Sequence, residues 1–251
     1  MSSIGRRMPR IRHVAVLETS STLDLCKKLL DDPGQDPDEV LSVTAERQTQ
    51  GRGTSGRAWE SPSGNVLLTV AVPKHHIPEE VLPVYPLLAG CAIHGTVATA
   101  LRDVVPPVKV QAKWPNDVLI AGAKVSGCMI EDAGAALMVG IGINVAVAPE
   151  TTDGGRRTAS IHQAGGHSMT AEACAKLCTE RLLHATVSAA SRSTVVDSYR
   201  QIMSTDCVMY TRLPDGRRGK KVKPLRLGDW GELTVVDDSG DTETLVADYL
   251  I

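Results

Sequence analysis

Four stretches of this sequence combine residue types suited to holding and activating anions. GRGTSG, from Gly51 to Gly56, lies inside QTQGRGTSGRAWESPSGN and concentrates backbone N–H groups that a ligand can approach closely. It adds guanidinium groups at Arg52 and Arg57. KWPND, Lys113 to Asp117, sets a cation, a large aromatic, a turn-forming proline and two polar side chains within five residues. Lys124 follows seven residues past Asp117, in AKVSGCMIE, where a straight side chain reaches back over a sheet toward an anionic ligand. VGIGINV puts two glycines and a single polar residue, Asn144, into an apolar strand, which is costly unless the amide finds partners. Taken singly, each has a plainer reading: a solvated loop, a hairpin turn, a surface lysine, a structural asparagine.

The three glycines of GRGTSG also satisfy a pattern often read as a dinucleotide-binding turn. That turn is entered from a strand and left through a helix, with an acidic residue about twenty positions on. Here Gly56 is followed by Arg57, Ala58, Trp59, a Ser-Pro-Ser-Gly cluster and NVLLTVAVP, an apolar β-rich run ending at Pro73. The pattern is strand, loop, strand. A kinase glycine loop also joins two strands, but neither HRD nor DFG occurs downstream. No glycine-rich stretch ends in Gly-Lys-Ser/Thr, so a P-loop is excluded too.

The elements that must position these residues follow from periodicity and turn chemistry. HVAVLETSS reads as a strand, Val14 to Leu17, running into Ser20, Ser21 and Thr22, which are good helix caps before Leu25, Cys26, Leu29 and Leu30. VLSVTAE is a second strand that feeds the glycine loop, and NVLLTVAV returns from it. Pro86 to Leu101 reads as a core helix, and the run from Lys109 to Val147 as an antiparallel meander. A further helix is expected from Thr170 into the Ala-rich segment near Ser191. From about Asp206 the chain alternates apolar and polar residues around Gly228-Asp229 and Ser239-Gly240 turns, the pattern of a small β-barrel-like module. The expected fold class is α+β with a mixed or antiparallel sheet, followed by a compact all-β C-terminal domain.

Composition narrows the classes. The 251 residues carry a net charge near -2 with 22% charged side chains, so no global basic field points to nucleic acid, although Arg6, Arg7, Arg10 and Arg12 crowd the N-terminus. That end reads as a solvated tail, with an organelle presequence as the alternative. No apolar run approaches the eighteen or so residues of a membrane span. The six cysteines are scattered without a Cys-x-x-Cys pair, which points to a reducing compartment and to packing roles rather than disulfides or zinc.

With TSST, QTQGRGTSGRAWESPSGN, KWPND, AKVSGCMIE and VGIGIN in this order and spacing, residues 14–147 resemble the biotin protein ligase family, and the module after residue 206 is similar to that family's SH3-like domain. The resemblance implies a class II aminoacyl-tRNA synthetase-like catalytic domain over residues 1–203 and an SH3-like β-barrel over 204–251. It implies a two-step reaction using ATP, biotin and Mg²⁺: biotinoyl-AMP forms, and the biotinoyl group then passes to a lysine of a biotin carboxyl carrier domain. By the same resemblance, Arg52, Lys124 and Lys113 are catalytic. Ser21, Thr22, Gln48, Gly51, Arg52, Gly53, Trp59, Lys124 and Gly127 bind biotin, with Trp59 and Trp114 as apolar walls. Arg52, Arg57, Lys113, Asn116, Asp117, Lys124 and Asn144 bind ATP, and no protein-only metal site is expected.

Two positions depart from the family pattern. Family members commonly carry another Arg where this chain has Thr54, and often Asn where it has Leu23, so a cation is missing from the loop expected to close over the adenylate. Fewer than twenty residues precede the first motif, which leaves no room for a helix-turn-helix, and no repressor role is expected. The expected enzyme is cytoplasmic, monomeric or homodimeric, with no nucleic-acid or membrane partner. Two alternatives stand beside it. One is a lipoate or octanoate ligase, which would want an apolar tunnel rather than polar partners such as Ser21, Thr22 and Gln48. The other is a non-catalytic nucleotide-binding module.

Overall fold

Seven strands build one mixed sheet in a computed structural model that describes residues 8–54, 58–60, 62–150, 157–213 and 217–246. In chain order they are β1 (Ile11–Thr19), β2 (Val40–Gln48), β3 (Val66–Pro73), β4 (Val110–Lys113), β5 (Asp117–Ile120), β6 (Ala123–Asp132) and β7 (Ala136–Ile143). Their order across the sheet is β1-β2-β3-β7-β6-β5-β4. β1 and β2 are parallel and every other neighbouring pair is antiparallel. The parallel pair needs a crossover, and helix α1 (Thr22–Leu30) supplies it. Ser21 starts that helix as the sequence implies: its backbone is extended and its Oγ accepts the Leu23 N–H at 3.3 Å.

Both faces of the central strands are covered, so β3 and β7 are buried at every residue. The two-residue side-chain period sorts them onto separate cores. Leu41, Val43, Ala71 and Met138 pack with Leu23 and Cys26 of α1 on one face. Val40, Val70, Val72, Leu137 and Val139 pack on the other face with α2 (Tyr85–Ala100) and α3 (Ala171–Ser188). The 3₁₀ and helical run Glu79–Ala100 is long and apolar enough to span a membrane by length and composition, contrary to the sequence expectation. In the fold, 67% of its window is buried inside the protein, and a central core helix covered on all sides has the same composition.

The helix expected from Thr170 to near Ser191 is present as α3, and a second helix follows it. Thr170 caps α3 through its Oγ1, which accepts the Ala173 N–H at 3.1 Å. Ala189 then turns extended, and Ser191 caps a helix absent from the sequence reading, α4 (Arg192–Ile202), by accepting the Thr194 N–H at 3.2 Å. Ser191 therefore begins an element just past the end of the expected one.

A second, four-stranded antiparallel sheet comes after α4: β8 (Met209–Arg212), β9 (Arg218–Leu227), β10 (Leu233–Asp237) and β11 (Thr242–Leu245), in the order β11-β10-β9-β8. It is an open sheet among the described residues, with no ladder between β8 and β11 to close a barrel. Met209, Val222, Leu227, Leu233 and Val235 continue the same apolar core as α2 and α3. Around residue 203 the chain is stitched to β4: Met203 bridges Ala112, and the Ser204 N–H donates to the Ala112 carbonyl at 2.7 Å.

Candidate active site

The cleft that gathers the motifs opens where the glycine loop meets β6, β7 and the start of α1. Its wall includes Ser21, Thr22, Leu23, Gln48, Arg52, Gly53, Thr54, Trp59, Asn116, Lys124 and Gly127, with Gly140 and Gly142 as floor. Counting the solvent at its mouth it encloses about 490 Å³, within the range of small-molecule sites.

The floor is low because β7 carries glycines at two positions that face the same way. A Cβ at Gly142 would run into the Trp59 indole, and one at Gly140 would sit 3.0 Å from Leu23 Cδ1. These glycines let the indole and Leu23 lie directly on the strand. One end of the cleft is a hydrogen-bonded polar chain. The Thr22 N–H and hydroxyl both donate to Gln48 Oε1, at 2.7 and 3.0 Å, and the buried Thr69 hydroxyl donates to Thr22 Oγ1 at 2.8 Å. Such a chain presents fixed dipoles to a polar ligand group at low cost in ordering.

The other end is cationic. Lys124 Nζ lies 5.4 Å from the Trp59 ring centroid and 2.6 Å from Asp117 Oδ1. Lys113 Nζ approaches the other carboxylate oxygen of Asp117 at 3.4 Å, so one carboxylate is shared by two lysines. Lys113 and Asp117 are largely buried, and a low-dielectric setting strengthens whatever such charges do to a ligand. The turn carrying them is braced by Asn116, whose Nδ2 donates to the Cys128 carbonyl at 2.7 Å while its own carbonyl accepts the Cys128 N–H at 3.0 Å. Cys128 itself is no nucleophile: burial first, then the negative charge of Asp117, pushes its thiol up to about 12 despite the opposing Lys124.

Over the cleft lies the glycine loop. Its described ends are tied by the Trp59 N–H to the Gly51 carbonyl at 2.9 Å and by a bridge between Arg52 and Ala58. Arg52 Nη1 pairs with Asp24 at 2.8 Å, and Nη2 lies 3.5 Å from Glu131. Partial burial works against the Arg52 charge, but the hydrogen bonds and charges of Asp24 and Glu131 outweigh it and hold the guanidinium ionised beyond its ordinary range.

A profile of the biotin/lipoate A/B protein ligase family matches residues 19–148, which contain this whole cleft. The chain belongs to that family. It is 39% identical over 121 residues to a biotin--[acetyl-CoA-carboxylase] ligase of Mycobacterium tuberculosis, a match covering 48% of this chain and 44% of that protein. The chain spans about half the length of the curated relatives it matches. Its fold superposes on the Leishmania major biotin protein ligase solved with biotinyl-5-AMP, with a TM-score of 0.72 and 32% identity over 95% of this chain and 99% of that one. It superposes also on the Aquifex aeolicus biotin protein ligase solved with biotin and ATP, at a TM-score of 0.69 and 23% identity over 95% and 97% of the two chains.

For this member of the biotin/lipoate ligase family, the structure brings together most of the residues singled out from sequence. Ser21, Thr22, Gln48, Arg52, Gly53, Trp59, Asn116, Lys124 and Gly127 line the cleft. Gly51 stands just behind the wall, its carbonyl engaged by Trp59. Lys113 and Asp117 are not on the wall but reach it through Lys124. Asn144 is outside the lining. It is a buried staple, donating its Nδ2 to the Ala159 carbonyl at 3.2 Å and its N–H to the Val125 carbonyl at 2.8 Å. Trp114 is not a cleft wall either: its Nε1–H donates to the Gly231 carbonyl at 2.9 Å, joining the KWPND turn to the second sheet. Arg57 lies outside the described residues.

Several cleft residues were missed from sequence. Gly140 and Gly142 had a signal, since two glycines at i and i+2 in an apolar strand imply close approach on one face. Leu67, Leu68, Met129 and Ile141 had none, because an apolar residue lining a cleft looks like any core residue. Asn65 stands out as well: its Oδ1 accepts the N–H groups of Val145, Ala146 and Val147 at 2.9 to 3.2 Å, fixing the exit of β7.

Proposed function

We infer that the chain is an ATP-dependent biotin protein ligase. What carries the reading is the polarity of the cleft, with the Thr69–Thr22–Gln48 hydrogen-bond chain at one end, Lys124 at the other and Arg52 on the glycine loop. Biotin has that layout, a ureido head that wants polar partners and a carboxylate that wants cations. In the first step a biotin carboxylate oxygen bonds to the α-phosphorus of ATP, the bond to the bridging oxygen breaks, and pyrophosphate leaves. In the second, an acceptor lysine amine attacks the acyl carbon, AMP leaves with the bonding pair, and the amine loses a proton.

Both steps gather negative charge on oxygen, which fixed cations and N–H dipoles stabilise. In this reading Lys124 contacts the carboxylate and the α-phosphate. Arg52 with the Gly51 and Gly53 backbone closes over them, and Trp59 forms the apolar wall on Gly142. Lys113 acts on the phosphates through the Asp117-linked pair, with Arg57 as the loop's second cation, while Ser21, Thr22 and Gln48 hold the ureido ring. Asn116 and Asp117 shape the phosphate side by fixing the turn, and Asn144 contributes by holding the segment after it. Mg²⁺ would come with the triphosphate, whose charge it neutralises. Among the described residues no group of three or more His, Cys, Asp or Glu side chains could hold a metal.

The acceptor in this reading is a biotin carboxyl carrier domain, the division into residues 1–203 and 204–251 is retained, and the setting is cytoplasmic. A lipoate ligase finds less support, since the ureido end of the cleft is polar rather than an apolar tunnel. The deciding experiment incubates the chain with ATP, Mg²⁺ and either biotin or lipoate, and follows acyl-adenylate and mass gain on a carrier domain by mass spectrometry. Adenylate and transfer with biotin are expected. Adenylate with lipoate and none with biotin would overturn the reading.

A further inference from the structure

Arg52 is held between two carboxylates that come from different elements and that the sequence reading gave no role. Asp24 lies on α1 directly after the wall residue Leu23, and Glu131 lies on β6 two residues beyond the wall residue Met129. Nη1 takes the first and Nη2 the second, so the guanidinium plane is fixed by two separate anchors across the mouth of the cleft. Two carboxylates beside a site for anionic substrates would repel those substrates if they stood alone. Paired with Arg52 they keep only one net negative charge between the three groups, and they set where its remaining N–H groups point.

The strength of the pairs fits a holding role. The Arg52 side chain is 40% exposed, and its partners are 45% and 21% exposed, so each pair is weak and screened. A phosphate or carboxylate entering the cleft offers stronger charge-assisted bonds to the same group. The loop backbone is tied independently at Gly51–Trp59 and Arg52–Ala58, which leaves the side chain, rather than the backbone, for the carboxylates to order. Thr54, also on the cleft wall, brings no charge, so in the described part of the loop this task falls on Arg52.

We propose that Asp24 and Glu131 are positioning residues for adenylate formation, acting through Arg52: they hold its guanidinium over the cleft before substrate arrives and release it to the incoming anion. The proposal rests on the ligase reading of the same site. Holding the side chain ready removes part of its ordering entropy from the binding step, so the effect belongs in kcat/KM rather than in kcat.

The test compares wild type with Asp24→Asn, Glu131→Gln and the double variant in steady-state biotinoyl-AMP formation. The double variant is expected to lose about 3- to 10-fold in kcat/KM for biotin, with kcat at saturating substrate within about twofold. Asp24→Glu is expected to restore most of the loss. In an Arg52→Ala background the same substitutions should add nothing, because the interaction they remove is already gone. A gain in kcat/KM would mean that the carboxylates obstruct the site, and an equal loss without Arg52 would mean that they act elsewhere; either result overturns the proposal. NMR relaxation of the Arg52 Nε–H group gives a readout independent of activity. Wild type without adenylate would refute the ligase reading, and the positioning proposal would then stand or fall on greater mobility of the Arg52 guanidinium in the double variant against no change.

Discussion

Two charge clusters flank the cleft with inverted design. On the sheet side a carboxylate, Asp117, sits between two cations, Lys113 and Lys124; on the loop side a cation, Arg52, sits between two carboxylates, Asp24 and Glu131. Exposure separates them: the side chains of Lys113, Asp117 and Lys124 are 9%, 7% and 16% exposed, against 40% for Arg52. The inner cluster carries net positive charge into a low-dielectric setting, where it is permanent and costly to disturb. The outer one carries net negative charge in near-solvent, where its members exchange partners cheaply. In the ligase reading, a site that attracts anions, activates them and lets them go has use for both, a fixed inner cation and, as proposed above, a movable outer one.

The sharpest way to break this contrast is Asp117→Ala. Removing the shared carboxylate from two mostly buried ammonium groups is expected to cost about 3–5 kcal/mol in urea unfolding, and a loss under about 1 kcal/mol would show that the inner cluster is solvated after all. Next comes Lys124→Ala, expected to slow biotinoyl-AMP formation by about 10²–10³-fold, the effect of removing one fixed donor to developing charge. Asp117 keeps Lys113 nearby in that variant, so stability should change far less than in Asp117→Ala.

Gly142→Ala tests the floor between the clusters. The new methyl meets the Trp59 ring, and about 1–3 kcal/mol of overpacking strain should appear as weaker ligand binding and a shifted tryptophan emission. Unchanged emission would mean that the indole does not rest there. The smallest stability effect belongs to Arg52→Ala, within about 0.5 kcal/mol of wild type because its pairs are exposed. Its rate of biotinoyl-AMP formation should nonetheless fall about tenfold, and a wild-type rate would remove Arg52 from the reaction.

Much of the site was legible in the sequence because its parts are local. Glycine density, the cap at Ser21 and the strand that leaves the glycine loop are decided by neighbours along the chain. The meander of β4 to β7 was legible for the same reason, since each hairpin-linked strand pairs with the next strand in the chain. The features that were not legible involve distant partners. Trp114 reads as a cleft aromatic within KWPND, but its indole N–H is drawn to the Gly231 carbonyl in the turn between β9 and β10, 117 residues away. Asn144 reads as a ligand contact, but a buried amide beside the segment at Ala159 is satisfied by that backbone first. Asp24 and Glu131 carry no sequence signal, since nothing near them in the chain says that Arg52 will arrive.

By itself the sequence determined the chemistry on offer: a loop of N–H groups and guanidinium, two lysines with a carboxylate, and a helix start rich in hydroxyls, each set by residue type and short-range backbone preference. The tertiary structure decided which of these share a cleft, which face inward and which charges pair. Side-chain periodicity assigns a residue to a face of its own strand, whereas the neighbour across that face comes from another part of the chain. Only folding sets the distance between them, and with it the burial that makes one charge cluster rigid and the other exchangeable.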